Sequence, residues 1–228
     1  MLFKNIKSES FILWLISFIL ISFLGGIVFL WVNQNKSSYS YSLDKIKNEW
    51  TSEINSAFFW NKDSKVQLEV YLDLQCPACI WFNKNVYPDI KKEFIETNKI
   101  WITFKQFPLE YHKRAPDYAN LSYCALKQNK YEEFKNFIYS YEELLLKNKQ
   151  SSIITDELLK SFSEKNNVNA EELITCRKNI TYGKKVYEDY LNWIKSELEW
   201  TPQLILNWKK ISINWLEDLK NQIKKALN

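Results

Sequence analysis

Apolar residues recur along the chain with three different rhythms, and the places where the rhythm changes mark its elements. From Phe11 to Val32 no residue is charged, a run long enough for the ~20 apolar residues that cross a hydrocarbon core. The pattern predicts one N-terminal transmembrane helix over 11–32, with 1–10 as a short tail. A cleavable signal peptide is the rival reading, but its apolar region would be ~7 to 15 residues followed by an A-x-A-like site, which nothing here fits well. Residues 33–42, NQNKSSYSYS, are polar and serine-rich and read as a tether. A single domain is expected over 43–228. It opens on an amphipathic helix with Leu43, Ile46, Trp50 and Ile54 on one face.

Val66 to Leu74 is a β-branched and aromatic run of strand length. Ile80 to Asn98 switches to helical spacing, with a kink expected at Pro88, and Lys99 to Phe107 alternates as a second strand that stops at Pro108. Strand, helix, strand in this order makes a parallel unit. Leu109 to Pro116 reads as a loop. The pattern is helical across 115–196, where Thr155 before Asp156 and Glu157, and Asn169 three residues before Glu172, look like helix starts. Gln203 to Leu206 and Ile211 to Ile213 then read as strands. Leu216, Leu219, Ile223 and Leu227 give a closing amphipathic helix, so the fold class is α/β.

With 228 residues and 46% hydrophobic content the domain can bury a sizeable core. The net charge of +4 comes from 31 basic and 27 acidic residues spread evenly, with no basic cluster, so nucleic acid is not an expected partner. Glycine is the anomaly: only Gly25, Gly26 and Gly183 are present, where average usage of about 7% would give ~16. Tryptophan, at ten, is overabundant, and Arg114 and Arg177 are the only arginines.

The chemistry concentrates where the strand ends at Cys76-Pro77-Ala78-Cys79. Cys76 falls at a helix N-terminus, where unpaired N–H groups and the helix dipole stabilise a thiolate and lower the thiol pKa. Pro77 suits the first turn because it has no N–H to leave unpaired. Cys79, one turn inward, can attack a mixed disulfide formed at Cys76. Half a zinc site shares the CxxC spacing, but Cys124 and Cys176 stand far apart in separate helical segments and lack the paired spacing of a ribbon or finger. Neither a metal nor any other cofactor is expected.

Asp73-Leu74-Gln75-Cys76-Pro77-Ala78-Cys79 after a strand resembles the active site of DsbA-like thiol-disulfide oxidoreductases. Thr201-Pro202-Gln203-Leu204-Ile205-Leu206-Asn207 resembles the segment that carries a cis-proline facing the CxxC in that family, and Phe107-Pro108-Leu109 before His112 is also similar. The likeness runs from Ala57 to Leu227. It implies a thioredoxin-like fold with an inserted helical subdomain, redox chemistry at Cys76 and Cys79, and an extended substrate paired to the backbone of Thr201 beside Pro202. It further implies reduced exported proteins as substrates and a membrane thiol oxidase for recycling. Ala78 stands where the strongest oxidants have histidine, so the expected potential lies between about −270 mV and about −120 mV. The acidic residue often found six positions before the first cysteine is Val70 here; Glu69 and Asp73 are neighbours of undetermined burial. His112 reads as a solvated or structural loop histidine. A disulfide reductase or isomerase of the same fold remains open, as does a redox-inert, membrane-tethered binding module.

A redox pair and two further cysteines suit an oxidising compartment, which places the domain outside the cytoplasm on a single-pass anchor in the cell membrane. There Cys124 and Cys176 are expected to form a structural disulfide, the alternative being two small buried hydrophobes. Trp60, Trp200, Trp208 and Trp215 stand where the resembling family commonly has glycine. For Trp208 physics agrees, since two strands separated by Asn207 and one more residue want positive φ at both turn positions. The expectation is that these codons are UGA, read as glycine in the host; a tryptophan-rich surface is the alternative.

Overall fold

The computed structural model describes residues 57–59, 64–212 and 216–228, the first three by backbone alone. The expected anchor over 11–32, the tether, the amphipathic helix from Leu43, Trp60 and Trp215 all lie outside the described residues. Among the described residues no helix is long and apolar enough to cross a membrane.

Five strands form one sheet: β1 (Ala57–Phe59), β2 (Gln67–Leu72), β3 (Trp101–Gln106), β4 (Gln203–Leu206) and β5 (Lys209–Ile211), in the order β1-β3-β2-β4-β5. β2 runs parallel to β3, from Gln67 beside Trp101 to Leu72 beside Gln106, and antiparallel to β4. A strand in the middle of a sheet covered on both faces is buried on both. Accordingly Leu68, Val70 and Leu72 join the main core, while Tyr71, between them, packs on the other face with Phe107, Trp193, Leu198 and Ile205.

Two helical segments follow β2. α1 (Pro77–Asn85) ends at Val86, and α2 (Tyr87–Ile90) continues into a π-helical turn, Lys91–Ile95. The bend expected at Pro88 therefore lies two residues earlier, at Val86 (φ −120°, ψ −53°). In an unbroken helix the Pro88 ring would collide with the carbonyl of Lys84. Restarting the helix puts Pro88 in a first turn, which needs no N–H from it.

The inserted region comprises α3 (Ala115–Lys127), α4 (Tyr131–Lys147), α5 (Asp156–Asn166), α6 (Ala170–Lys178) and α7 (Gly183–Lys195). Thr155 and Asn169 cap α5 and α6, accepting from the N–H groups of Leu158 and Glu172. A disulfide between Cys124 of α3 and Cys176 of α6, with Cα atoms 6.1 Å apart, ties the insertion together. Asp189 of α7 fastens it to the sheet. Fully buried, this carboxylate accepts from the Gln106 N–H (2.9 Å), from Lys185 (2.8 Å) and from the Tyr123 hydroxyl. α8 (Leu216–Leu227) closes the domain by burying Leu219 and Ile223.

β5 begins at Lys209, two residues before the expected Ile211, because a two-residue turn, Asn207–Trp208, joins it to β4. Asn207 is anchored by its N–H to the Gln67 carbonyl (3.0 Å) and by its Oδ1 from the Gln67 N–H (2.8 Å). Both turn residues have positive φ, 46° and 64°. Asparagine tolerates that backbone, whereas tryptophan gains nothing from it, and the Trp208 side chain is 79% exposed. Trp200 is half-exposed, with the Lys210 ammonium 5.8 Å from its ring. Trp208→Gly is expected to stabilise the domain by about 1 kcal/mol, read as a higher urea midpoint at unchanged slope. Peptide masses from the native source should show glycine at 60, 200, 208 and 215; tryptophan mass at the first three would end the recoding expectation.

Candidate active site

Parallel strands that begin in register also end together, and the ends of β2 and β3 build the site. The Phe107 N–H donates to the Leu72 carbonyl (2.8 Å), so the turn 73–76 and the loop 107–114 leave the sheet side by side. β2 delivers Cys76 to the N-cap of α1, with extended backbone (φ −74°, ψ 124°) and Pro77 in the first turn. Antiparallel β4 brings Thr201 and Pro202 to the same end, since Gln203 pairs with Tyr71.

The structure thus gathers four of the six singled-out residues. Cys76 and Cys79 are free thiols, and Cys76 Sγ lies 3.5 Å from the carbonyl oxygen of Thr201. The Thr201–Pro202 peptide bond is cis. Cys124 and Cys176 are bonded to each other within the insertion. No group of three or more His, Cys, Asp or Glu side chains able to hold a metal ion lies among the described residues.

The two thiols have opposite surroundings. A hydrogen bond from Cys79 lowers the Cys76 pKa from 9.0 to about 6 against the opposing effect of burial, with further help from Thr201 and from the N–H groups of Cys79 and Ala78. These N–H groups are the unpaired donors of the first helical turn. For Cys79, burial pushes the pKa well above the ordinary value. Its bond to Cys76 and the Cys76 charge push the same way, and the Asp73 N–H (3.5 Å) only partly offsets them. Cys76 keeps 7% of its surface exposed and Cys79 1%, so the outer thiol is a narrow target rather than an open one. Beside them, Ala78, Trp81, Trp200, Thr201 and Pro202 line part of a cleft of about 490 Å³.

A family model described as thioredoxin matches residues 53–225. The chain belongs to the thioredoxin family. Two relatives similar to it are candidate protein-disulfide oxidoreductases. One, of Rickettsia felis, is 29% identical over 112 residues, 49% of this chain and 40% of that one; the other, of Rickettsia conorii, is 25% identical over 139 residues, 60% and 48%. The chain therefore matches less than half the length of these curated relatives. Among solved structures it is similar to α-DsbA1 of Wolbachia pipientis (TM-score 0.64, 24% identity, 80% of this chain and 95% of that one). Oxidised BdbD of Bacillus subtilis is comparable (TM-score 0.64, 23% identity, 75% and 92%). These likenesses establish a thioredoxin-like fold with a helical insertion, as in DsbA.

Sequence reasoning left Asp73 unresolved and set His112 aside. In this thioredoxin domain the two meet beside Cys76 and Cys79: the Asp73 side chain is fully buried and His112 Nδ1 is 2.8 Å from its Oδ2. Neither segment alone carries a signal for this contact: it follows from the parallel register of β2 and β3, which places the residue after one strand beside the loop after the other.

When the reduced protein is alkylated across pH, Cys76 should take the label with a midpoint near pH 6 while Cys79 stays protected beyond pH 9. Labelling of Cys79 first, or of both cysteines as ordinary thiols, would refute the asymmetry.

Proposed function

We propose that the protein is a membrane-anchored, extracytoplasmic thiol-disulfide oxidoreductase that donates the Cys76–Cys79 disulfide to reduced exported proteins. The observation carrying this reading is the split between a thiol favoured as thiolate and a buried neighbour favoured as thiol. Such a pair is more stable reduced than two ordinary thiols would be, and its disulfide is correspondingly more oxidising.

In the reaction, a substrate thiolate attacks Cys76 Sγ of the disulfide. A substrate–Cys76 bond forms, the Cys76–Cys79 bond breaks, and Cys79 leaves with the electron pair and takes up a proton. A second substrate thiolate then attacks the substrate sulfur of the mixed disulfide, completing the substrate disulfide and releasing Cys76 as a thiolate. Two electrons pass from substrate to protein. An oxidant, here a membrane thiol oxidase, must accept them to restore the disulfide. Thr201, whose carbonyl already reaches Cys76 Sγ, is placed to pair with an extended substrate backbone beside Pro202.

The apolar run over 11–32 serves as the anchor, with the tail 1–10 in the cytoplasm and 33–42 as tether. The disulfide within the insertion supports an oxidising location for the domain.

The oxidised full-length chain, supplied with a reduced client protein, should generate client disulfides in amounts stoichiometric with Cys76–Cys79 lost, and Cys76→Ser should abolish this. Reduction of an oxidised client by the dithiol form, without the forward reaction, would instead identify a reductase. Transfer in neither direction would identify a redox-inert binding module.

A further inference from the structure

Asp73 is bonded in two directions. Its backbone holds both cysteines: the carbonyl accepts from the Cys76 N–H (3.1 Å) and the N–H donates to Cys79 Sγ (3.5 Å). Its carboxylate holds the loop that follows β3. Oδ2 accepts from the Leu109 N–H (2.7 Å) and pairs with His112 Nδ1 (2.8 Å), while Oδ1 accepts from the Gln75 N–H (2.6 Å). The Gln75 side chain in turn accepts from the Arg114 N–H (2.8 Å), so the two loops are stitched at both ends of this contact. A carboxylate with no exposed surface is costly as an anion unless a cation or several donors match it. His112 is the titratable group at hydrogen-bond distance from it.

We propose that His112 is a positioning residue of the redox pair: held by Asp73 as an imidazolium, it supplies from the neighbouring loop the positive charge that Ala78 does not supply between the cysteines, and so favours the Cys76 thiolate. This rests on the reading of Cys76 as the exchanging thiol. The groups facing the ring are Asp73 at 2.8 Å, the Tyr111 ring edge-on at 4.4 Å, and the charges of Cys76 and Glu142. Glu142 is matched by Arg114 at 2.6 Å and 2.7 Å, which removes much of its influence. Burial opposes the cation. The hydrogen bond and charge of Asp73, with Cys76 and Glu142, outweigh it, and the His112 pKa is raised above 6.5. Cys76 ionises at about 6, so thiolate and imidazolium coexist from there up to the raised His112 value. Above it the cation is lost, and its support for the thiolate goes with it.

Coupling of this kind is reciprocal: whatever the cation does for the thiolate, the thiolate does for the cation. That gives two independent readouts on the untagged full-length chain in detergent, where the single histidine assigns itself. In His112→Gln a side-chain N–H can still donate to Asp73, so a mere tether survives and only the charge is removed. The Cys76 alkylation midpoint should then rise by about half a pH unit or more. In the unsubstituted protein the His112 ring resonances should titrate at lower pH in the disulfide form, which has no thiolate, than in the dithiol form. Superimposable alkylation profiles would overturn the proposal, as would a His112 titration indifferent to the redox state. The second readout needs no substitution and decides the matter even if His112→Gln fails to fold. If the protein oxidises no client yet His112 still responds to the Cys76 charge, the oxidoreductase reading falls and the coupling stands.

Discussion

The hydrogen bonding that the first turn of α1 offers to Cys76 is the interaction on which the rest depends. A thiol moved from 9.0 to about 6 gains about 4 kcal/mol for its charged form. That gain exists only when the pair is reduced, because a disulfide has no thiolate to stabilise, so the arrangement weights the equilibrium toward dithiol and makes the disulfide more oxidising than one between ordinary thiols. The sign of the pH dependence follows. An acid depressed in the folded state stabilises the reduced domain in full above its unfolded pKa, and the contribution is lost as pH falls through about 6.

The fold can be understood as the means of keeping that turn in place. β2 is central and largely buried on both faces, so it does not shift register without moving Leu68, Val70 and Leu72 out of the main core and Tyr71 out of the second cluster. It fixes where the helix starts. β3 alongside carries the loop with His112, β4 carries Thr201 and Pro202, and Asp189 fastens the insertion to the backbone of Gln106 at the end of β3. Two buried carboxylates, Asp73 and Asp189, thus clamp the same end of the sheet from opposite partners.

What the sequence made legible was what repeats or what nucleates. The β-branched run before Cys76, the side-chain caps at Thr155 and Asn169, and the apolar stripe of α8 are local signals with local causes, and each appears where its residues put it. Helix starts without a capping side chain, as at Lys130 and Tyr182, left no such mark. The break that Pro88 imposes falls two residues upstream, at Val86, because a proline is felt through the carbonyl it would strike. Asp73 and His112 were unreadable for a different reason. Their contact depends on where two strands end relative to each other, which is a property of register rather than of either segment. Trp208 is the converse case, where turn chemistry foretold a backbone that the residue itself does not favour.

The central claim is that thiolate stabilisation at Cys76 makes this pair a disulfide donor. The direct measure is the reduction potential of Cys76–Cys79, obtained by equilibrating the full-length protein with glutathione buffers. Among related pairs the potential rises as the outer thiol becomes more acidic, from thioredoxin (pKa about 7, about −270 mV) to DsbA (about 3.5, about −120 mV). A thiol at about 6 with no cation between the cysteines should lie between those limits and above thioredoxin. A value at or below about −270 mV would contradict the account.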